Sequence, residues 1–193
     1  AAGTVARMVM SASDNPAVVG CATGCLEVST TIYPYTAWED SFIHNAFENV
    51  AATVSGAEAA HRALKKKGEI DEDYDFIAFG GDGGTYDIGF QSLSGAMERG
   101  HDMLYVCYDN GAYMNTGIQR SSATPKGANT TTSPEGSKIP GKQQKRKELT
   151  DVIAAHGVPY VAQAAPWRPN DLIRKVQKAL NTTGPTFLNV LAP

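Results

Sequence analysis

Gly81-Asp82-Gly83 and, beyond residues 84–109, Asn110 are the residues whose types and spacing could do chemistry. The glycine-rich run 80–84 directly follows a compact apolar stretch, 75–79 (DFIAF), and precedes a helical pattern. Glycines let a backbone come close to a phosphate, and a strand-to-helix turn is where anions are commonly met. An Asp in such a loop carries the wrong charge for a bare phosphate and points to a bridging divalent cation. The loop does not fit the dinucleotide fingerprint, since the third glycine position after Gly81 and Gly83 is Tyr86, and there is no Walker A sequence. The same spacing would also serve a tight strand-to-helix turn. Asp109-Asn110 ends the next apolar run, 103–108 (MLYVCY). In a right-handed strand–helix–strand unit the two strand ends are adjacent, so Asp82 and Asn110 can converge on one hard cation. Mg²⁺ takes few protein ligands and fills the rest of its shell from phosphate oxygens and water, so this pair asks for a diphosphate.

The elements that must position these residues follow from the pattern. Strand-like runs occur at 17–21, 75–79, 103–108, 160–163 and 186–191, and helical spacing at 45–67, 87–99, 147–156 and 170–180. Five strands alternating with helices predict an α/β fold with a doubly wound, mainly parallel sheet. Such sheets bind ligands beyond the carboxyl ends of their strands, where Asp82 and Asn110 fall. Residues 121–146 are too long for an inert loop and are expected to close over a cofactor or a partner.

Composition narrows the class. Seventeen Lys and Arg against 20 Asp and Glu give a net charge of −3, with no basic excess for nucleic acid or an anionic membrane. No apolar run approaches the roughly 18–20 residues that span a bilayer. Three cysteines, Cys21, Cys25 and Cys107, are too few for a disulfide framework, and a reducing cytoplasm is the expectation. The length suits one domain, 1–193. A start without Met and a stop just after a strand-like run suggest a segment of a longer subunit.

An aspartate in GDG followed by an Asn at the next strand end is the pattern of thiamine-diphosphate enzymes. Longer runs sharpen the match: residues 22–27 (ATGCLE), 33–38 (YPYTAW), 80–89 (GGDGGTYDIG) and 108–125 (YDNGAYMNTGIQRSSATP) strongly resemble the β subunit of pyruvate:ferredoxin oxidoreductases, members of the 2-oxoacid:ferredoxin oxidoreductases. The resemblance runs in order from about Val18 to the last residue. It implies thiamine diphosphate held through Mg²⁺ by Asp82, Asn110 and the main-chain carbonyl of Ala112. Gly81, Asp82, Gly83, Gly84, Asn110, Gly111, Ala112, Tyr113 and Asn115 would then line the diphosphate and thiazolium side, with Asn115 as the contact to the 2-oxoacid. Oxidative decarboxylation would follow, with electrons passing singly to a 4Fe–4S cluster and ferredoxin, and CoA taking the acyl group. Cys25 matches one of four ligands of the proximal 4Fe–4S cluster; its usual partners are absent from this sequence. The Glu that activates the cofactor's aminopyrimidine lies on another subunit in this family.

Pyruvate is the default substrate. Many members carry Glu at the position of Gly111, and its loss keeps oxalate open as an alternative. A non-oxidative thiamine-diphosphate decarboxylase and a binding domain with a degenerate site are the other rivals. The basic run Lys142, Lys145, Arg146 and Lys147 is read as a solvated helix start, or less simply as a docking patch for an acidic ferredoxin. Cys107 is read as a small core hydrophobe.

Overall fold

The computed structural model describes residues 2–36 and 38–193; Ala37, within the aromatic stretch 30–38, lies outside the described residues, as does Ala1. Helix α1 (Ala2–Met10) leads to strand β1 (Ala17–Ala22), helix α2 (Cys25–Thr30), strand β2 (Ser41–Asn45) and helix α3 (Val50–Lys67). Strand β3 (Asp75–Gly81) follows, then a π-helical turn (Gly83–Ile88) running into helix α4 (Phe90–Glu98), and strand β4 (Leu104–Asp109). After a long irregular stretch come helix α5 (Leu149–Ala154), strand β5 (Tyr160–Ala164), helix α6 (Pro169–Leu180) and strand β6 (Thr186–Leu191). The six strands form one sheet in the order β2-β1-β3-β4-β6-β5, and every pairing is parallel. The predicted doubly wound α/β fold is borne out, with one strand more than expected.

Strand alternation explains why both faces are covered. Ile77, Phe79, Leu104, Val106 and Tyr108 point to one side, where α1, α2 and α6 contribute Val5, Val9, Leu26, Leu172 and Val176. Phe76, Ala78, Tyr105, Cys107 and Phe187 point to the other, against Val50 and Val54 of α3, Leu93 and Met97 of α4 and Ile153 of α5. A parallel sheet with apolar side chains on both faces must be buried twice, and its helices divide accordingly. Cys107 is fully buried in β4, as read from its apolar neighbours.

Several boundaries differ from the sequence reading. β2 was absent from it: SFIHN is an edge strand with Ser41 and His44 exposed, and its lack of apolar density hides it. The predicted helix 45–67 therefore starts at Val50, with Asn45 in β2. α1 and α2 were also not anticipated. β3 runs through Gly80 and Gly81, because Cys107 and Tyr108 pair with them in the sheet. Helical backbone begins at the glycine loop rather than at Asp87, so the turn after Asp82 is itself helical.

The sheet's connections reverse direction at β1 and β3. From β1 the chain crosses to β2 on one side, and from β3 it proceeds to β4 on the other. The crevice beyond their carboxyl ends is the topological switch point of the fold.

Candidate functional site

A cavity of about 280 Å³ opens at that switch point. Thr23, Gly24 and Cys25 line it from the end of β1, Gly81, Asp82, Gly83 and Gly84 from the end of β3, and Tyr108, Asn110, Ala112, Tyr113, Met114, Asn115 and Thr116 from the end of β4 and beyond. Phe47 completes the wall from the turn before α3. The structure thus brings together every residue that the resemblance assigns to the cofactor except Gly111, which does not line this cavity. Its N–H donates to Asp109 Oδ1 at 3.1 Å and its carbonyl accepts from Thr124 Oγ1 at 2.5 Å. Gly111 has φ +82°, a left-handed conformation that reverses the chain between Asn110 and Ala112.

The glycines of the loop have a steric reason. A Cβ at Gly83 would overlap the Tyr113 ring, which lies against Phe47 with ring centroids 5.6 Å apart. The Tyr113 hydroxyl donates to Asp87 Oδ2 at 3.3 Å, holding the ring over the π-helical turn.

Asp82 is 1% exposed and has no cationic partner among the described residues. Burial is the main force pushing its carboxyl up to about 7; the neighbouring Asp109 charge adds to that, while the Ser121 hydroxyl and the Asn110 N–H oppose it. One oxygen, Oδ2, accepts the Ser121 hydroxyl, and the other, Oδ1, accepts the Asn110 N–H at 3.3 Å. The Asn110 carboxamide oxygen lies 2.8 Å from Asp82 Oδ1 and 2.8 Å from the Ala112 carbonyl. Three acceptors meet there without a donor between them. Either the amide turns over so that its NH₂ donates to both, or a cation sits among the oxygens. The 2.8 Å spacings fit N–H···O hydrogen bonds from the turned amide, and they equally fit adjacent ligands of an octahedral Mg²⁺, which at 2.0–2.1 Å stand roughly 2.9 Å apart. The donor set of carboxylate, amide oxygen and carbonyl is that of a hard cation.

The three thiols cannot hold a 4Fe–4S cluster by themselves, because it takes four thiolates. Cys25 is half-buried at the start of α2, with its Sγ 3.8 Å from Asn110 Nδ2. Cys21 and Cys107 are buried within strands, and burial raises both thiols, Cys21 to about 12.

The site has a second layer that the sequence did not reveal. Asp109, next to Asn110, is 2% exposed; its Oδ2 accepts the Tyr86 hydroxyl at 2.9 Å and pairs with Arg146. Arg146 also donates to the Tyr86 hydroxyl at 2.7 Å and to the Ala123 carbonyl at 2.9 Å. Ser122 holds Asp87 through its N–H at 2.9 Å and its hydroxyl. Lys147 donates to the Tyr86 carbonyl. The reading of the basic run as a solvated helix start or a docking patch is therefore corrected. Lys142 is 1% exposed, Arg146 and Lys147 point inward, and only Lys145 faces solvent fully. Carboxylates and carbonyls behind the loop draw these cations in. Thr23 and Gly24 could have been found from sequence, since ATGC follows a strand-like run; Ser121 and Arg146 carry no such signal.

Fold and cavity together define a thiamine-diphosphate-binding domain, and residues 19–190 match the family described as thiamine pyrophosphate enzyme, C-terminal TPP binding domain, to which the chain belongs. Among curated relatives, it is 64% identical over 178 residues to pyruvate synthase subunit PorB of Thermotoga maritima, covering 91% of this chain and 55% of that subunit. It is 59% identical over 194 residues to PorB of Methanocaldococcus jannaschii, covering 100% of this chain and 65% of the relative. Ketoisovalerate oxidoreductase subunit VorB of Pyrococcus abyssi is 43% identical over 187 residues, with 97% and 60% covered. The chain spans between about half and two thirds of the length of these relatives. The resemblance to pyruvate:ferredoxin oxidoreductase β subunits read from the motifs is borne out. A solved 2-oxoglutarate:ferredoxin oxidoreductase from Magnetococcus marinus shares the fold, with a TM-score of 0.78 at 21% identity over 98% of this chain and 60% of that one.

Proposed function

We propose that this chain is the diphosphate-binding domain of a pyruvate:ferredoxin oxidoreductase β subunit, with residues 1–193 forming one unit of a longer subunit. The single observation that carries the reading is the convergence of Asp82 Oδ1, the Asn110 amide oxygen and the Ala112 carbonyl at the switch point of the sheet. These three oxygens would hold Mg²⁺, and through it the diphosphate of thiamine diphosphate. When bound, the cofactor supplies a thiazolium that accepts the electron pair released as CO₂ leaves a 2-oxoacid.

The chain's own residues do the rest. Around Asp82, the glycines Gly81, Gly83 and Gly84 would present backbone rather than side chains to the diphosphate. Phe47, Tyr113 and Met114 make an apolar wall that keeps water from the reacting centre. Asn115, exposed at the rim of the cavity, would contact the 2-oxoacid. Cys25 would supply one ligand of a 4Fe–4S cluster whose other three come from outside these residues. Further subunits would carry the aminopyrimidine-activating Glu and additional clusters, with ferredoxin as electron acceptor and CoA as acyl acceptor in a cytoplasmic setting. No helix among the described residues is long and apolar enough to cross a membrane.

Identity to pyruvate synthase subunits, well above that to the ketoisovalerate relative, supports pyruvate as substrate. The test uses the assembled enzyme containing this chain. Mg²⁺-dependent binding of thiamine diphosphate, iron in the preparation and ferredoxin reduction driven by pyruvate in preference to 2-ketoisovalerate or oxalate are expected. Turnover of oxalate without CoA would move the assignment to an oxalate enzyme. Pyruvate decarboxylation without iron would move it to a non-oxidative decarboxylase, and failure to bind the cofactor would leave a degenerate site.

A further inference from the structure

The oxygen triad is held from behind by a turn, 121–124, that no part of the proposed chemistry uses. Ser121 is wholly buried. Its oxygen accepts the Ala123 N–H at 3.1 Å, and its single proton is directed to Asp82 Oδ2. Its own N–H donates to Thr124 Oγ1 at 2.9 Å, and the Thr124 hydroxyl passes on to the Gly111 carbonyl at 2.5 Å. One short turn therefore touches both arms of the triad: Asp82, beyond β3, and the peptide between Asn110 and Ala112, beyond β4.

The turn is itself pinned. Lys142 Nζ donates to the carbonyls of Ser121 at 3.1 Å, Ser122 at 3.2 Å and Thr124 at 2.6 Å. An ammonium has three protons, and here three carbonyls take them, so the buried cation is satisfied and the turn has little freedom. A carboxylate with two unrestrained oxygens rotates and presents either. One held by Oδ2 presents Oδ1 alone, in a fixed direction.

We propose that Ser121 is a positioning residue for the cation: by anchoring Asp82 Oδ2 from the Lys142-pinned turn, it fixes Oδ1 against the Asn110 amide and the Ala112 carbonyl. The proposal rests on the cation-site reading above. Partners that orient metal ligands typically contribute about 10–100-fold to metal affinity, and Ser121 is expected within that range.

The experiment measures Mn²⁺ affinity, by electron paramagnetic resonance, of the assembled enzyme with thiamine diphosphate present. Ser121→Ala removes one oxygen atom. It is expected to raise the Kd for Mn²⁺ about tenfold or more, with kcat at saturating Mg²⁺ falling far less. Thr124→Val, which frees the same turn from Gly111, should shift the Kd in the same direction and decides the matter if Ser121→Ala does not assemble. A merely structural role would lower the melting temperature and leave the Kd in place. Wild-type enzyme that binds Mn²⁺ while both variants bind it within about twofold as well would overturn the positioning role alone. Wild-type enzyme that binds no Mn²⁺ with the cofactor would overturn the cation site, and the positioning role with it.

Discussion

The two ends of the sheet both gather carboxylates, and they treat them differently. At the amino end, Glu58, Asp73, Asp75 and Asp102 border a cavity of about 150 Å³. Each is answered locally. Glu58 meets His101 Nδ1 at 2.8 Å and Arg62 at 3.6 Å, and Asp73 pairs with Lys65. Asp75 accepts from Ser13 at 2.5 Å and Asn15 at 3.3 Å, and Asp102 accepts the Gly184 N–H at 2.9 Å. At the carboxyl end, Asp109 has Arg146, but Asp82, one helix and one strand away in sequence, has hydroxyl and amide donors and no cation. Its Oδ1 accepts the Asn110 N–H and lies 2.8 Å from the Asn110 amide oxygen, which in turn lies 2.8 Å from the Ala112 carbonyl. A count of acidic residues would favour the amino end. Asp75 and Asp102 also lack a cation among the described residues, but both are at least partly open to solvent. What marks the other end is a carboxylate that is buried and short of a counter-charge, in a place where a ligand can supply it.

That contrast can be broken by substitution. The largest effect is expected from Asp82→Ala, which should leave no measurable Mg²⁺-dependent binding of thiamine diphosphate by calorimetry while the enzyme stays assembled. Retained binding would place the cofactor elsewhere. Next comes Arg146→Met, which strands the buried Asp109 carboxylate without its cation. A loss of roughly 3–5 kcal/mol is expected in denaturant unfolding, because removing one partner of a buried pair leaves an uncompensated charge. Asn110→Ala removes one of the three proposed ligands and should weaken cofactor binding by at least about tenfold, read as a raised KM for Mg²⁺.

The amino end supplies the controls. Glu58→Gln replaces a charged acceptor by a neutral one, so about 1 kcal/mol of stability is at stake and cofactor affinity should not move. Asp73→Asn, in a surface pair, is expected to change neither melting temperature nor activity measurably. A fall in cofactor affinity from either variant would erase the distinction between the two ends.

Asp82 and Asn110 could be paired from sequence because their positions depend on local pattern alone. Each follows an apolar run of strand length, and parallel neighbours joined by a helix must end side by side. The glycine loop was legible for the same reason. By contrast, Lys142, Arg146 and Lys147 look like a solvated charge run in sequence, because composition carries no information about which carbonyls and carboxylates the folded chain will bring near them. β2 was hidden because an edge strand half open to solvent lacks the apolar density that marks central strands. The left-handed turn at Gly111, between Asn110 and Ala112, likewise left no mark in the sequence beyond the glycine itself.

By itself the sequence determined the α/β class, a mainly parallel sheet and the two adjacent strand ends that carry Asp82 and Asn110. These follow from hydrophobic periodicity and turn chemistry, which act over a few residues. Only the tertiary structure decided that residues 121–147 fold back behind the site, that Ser121 takes one oxygen of Asp82, and that the basic run is spent inside the molecule. Those contacts join segments 20 to 60 residues apart. They are set by which buried polar groups must find partners once the sheet has formed, a requirement that no local pattern records.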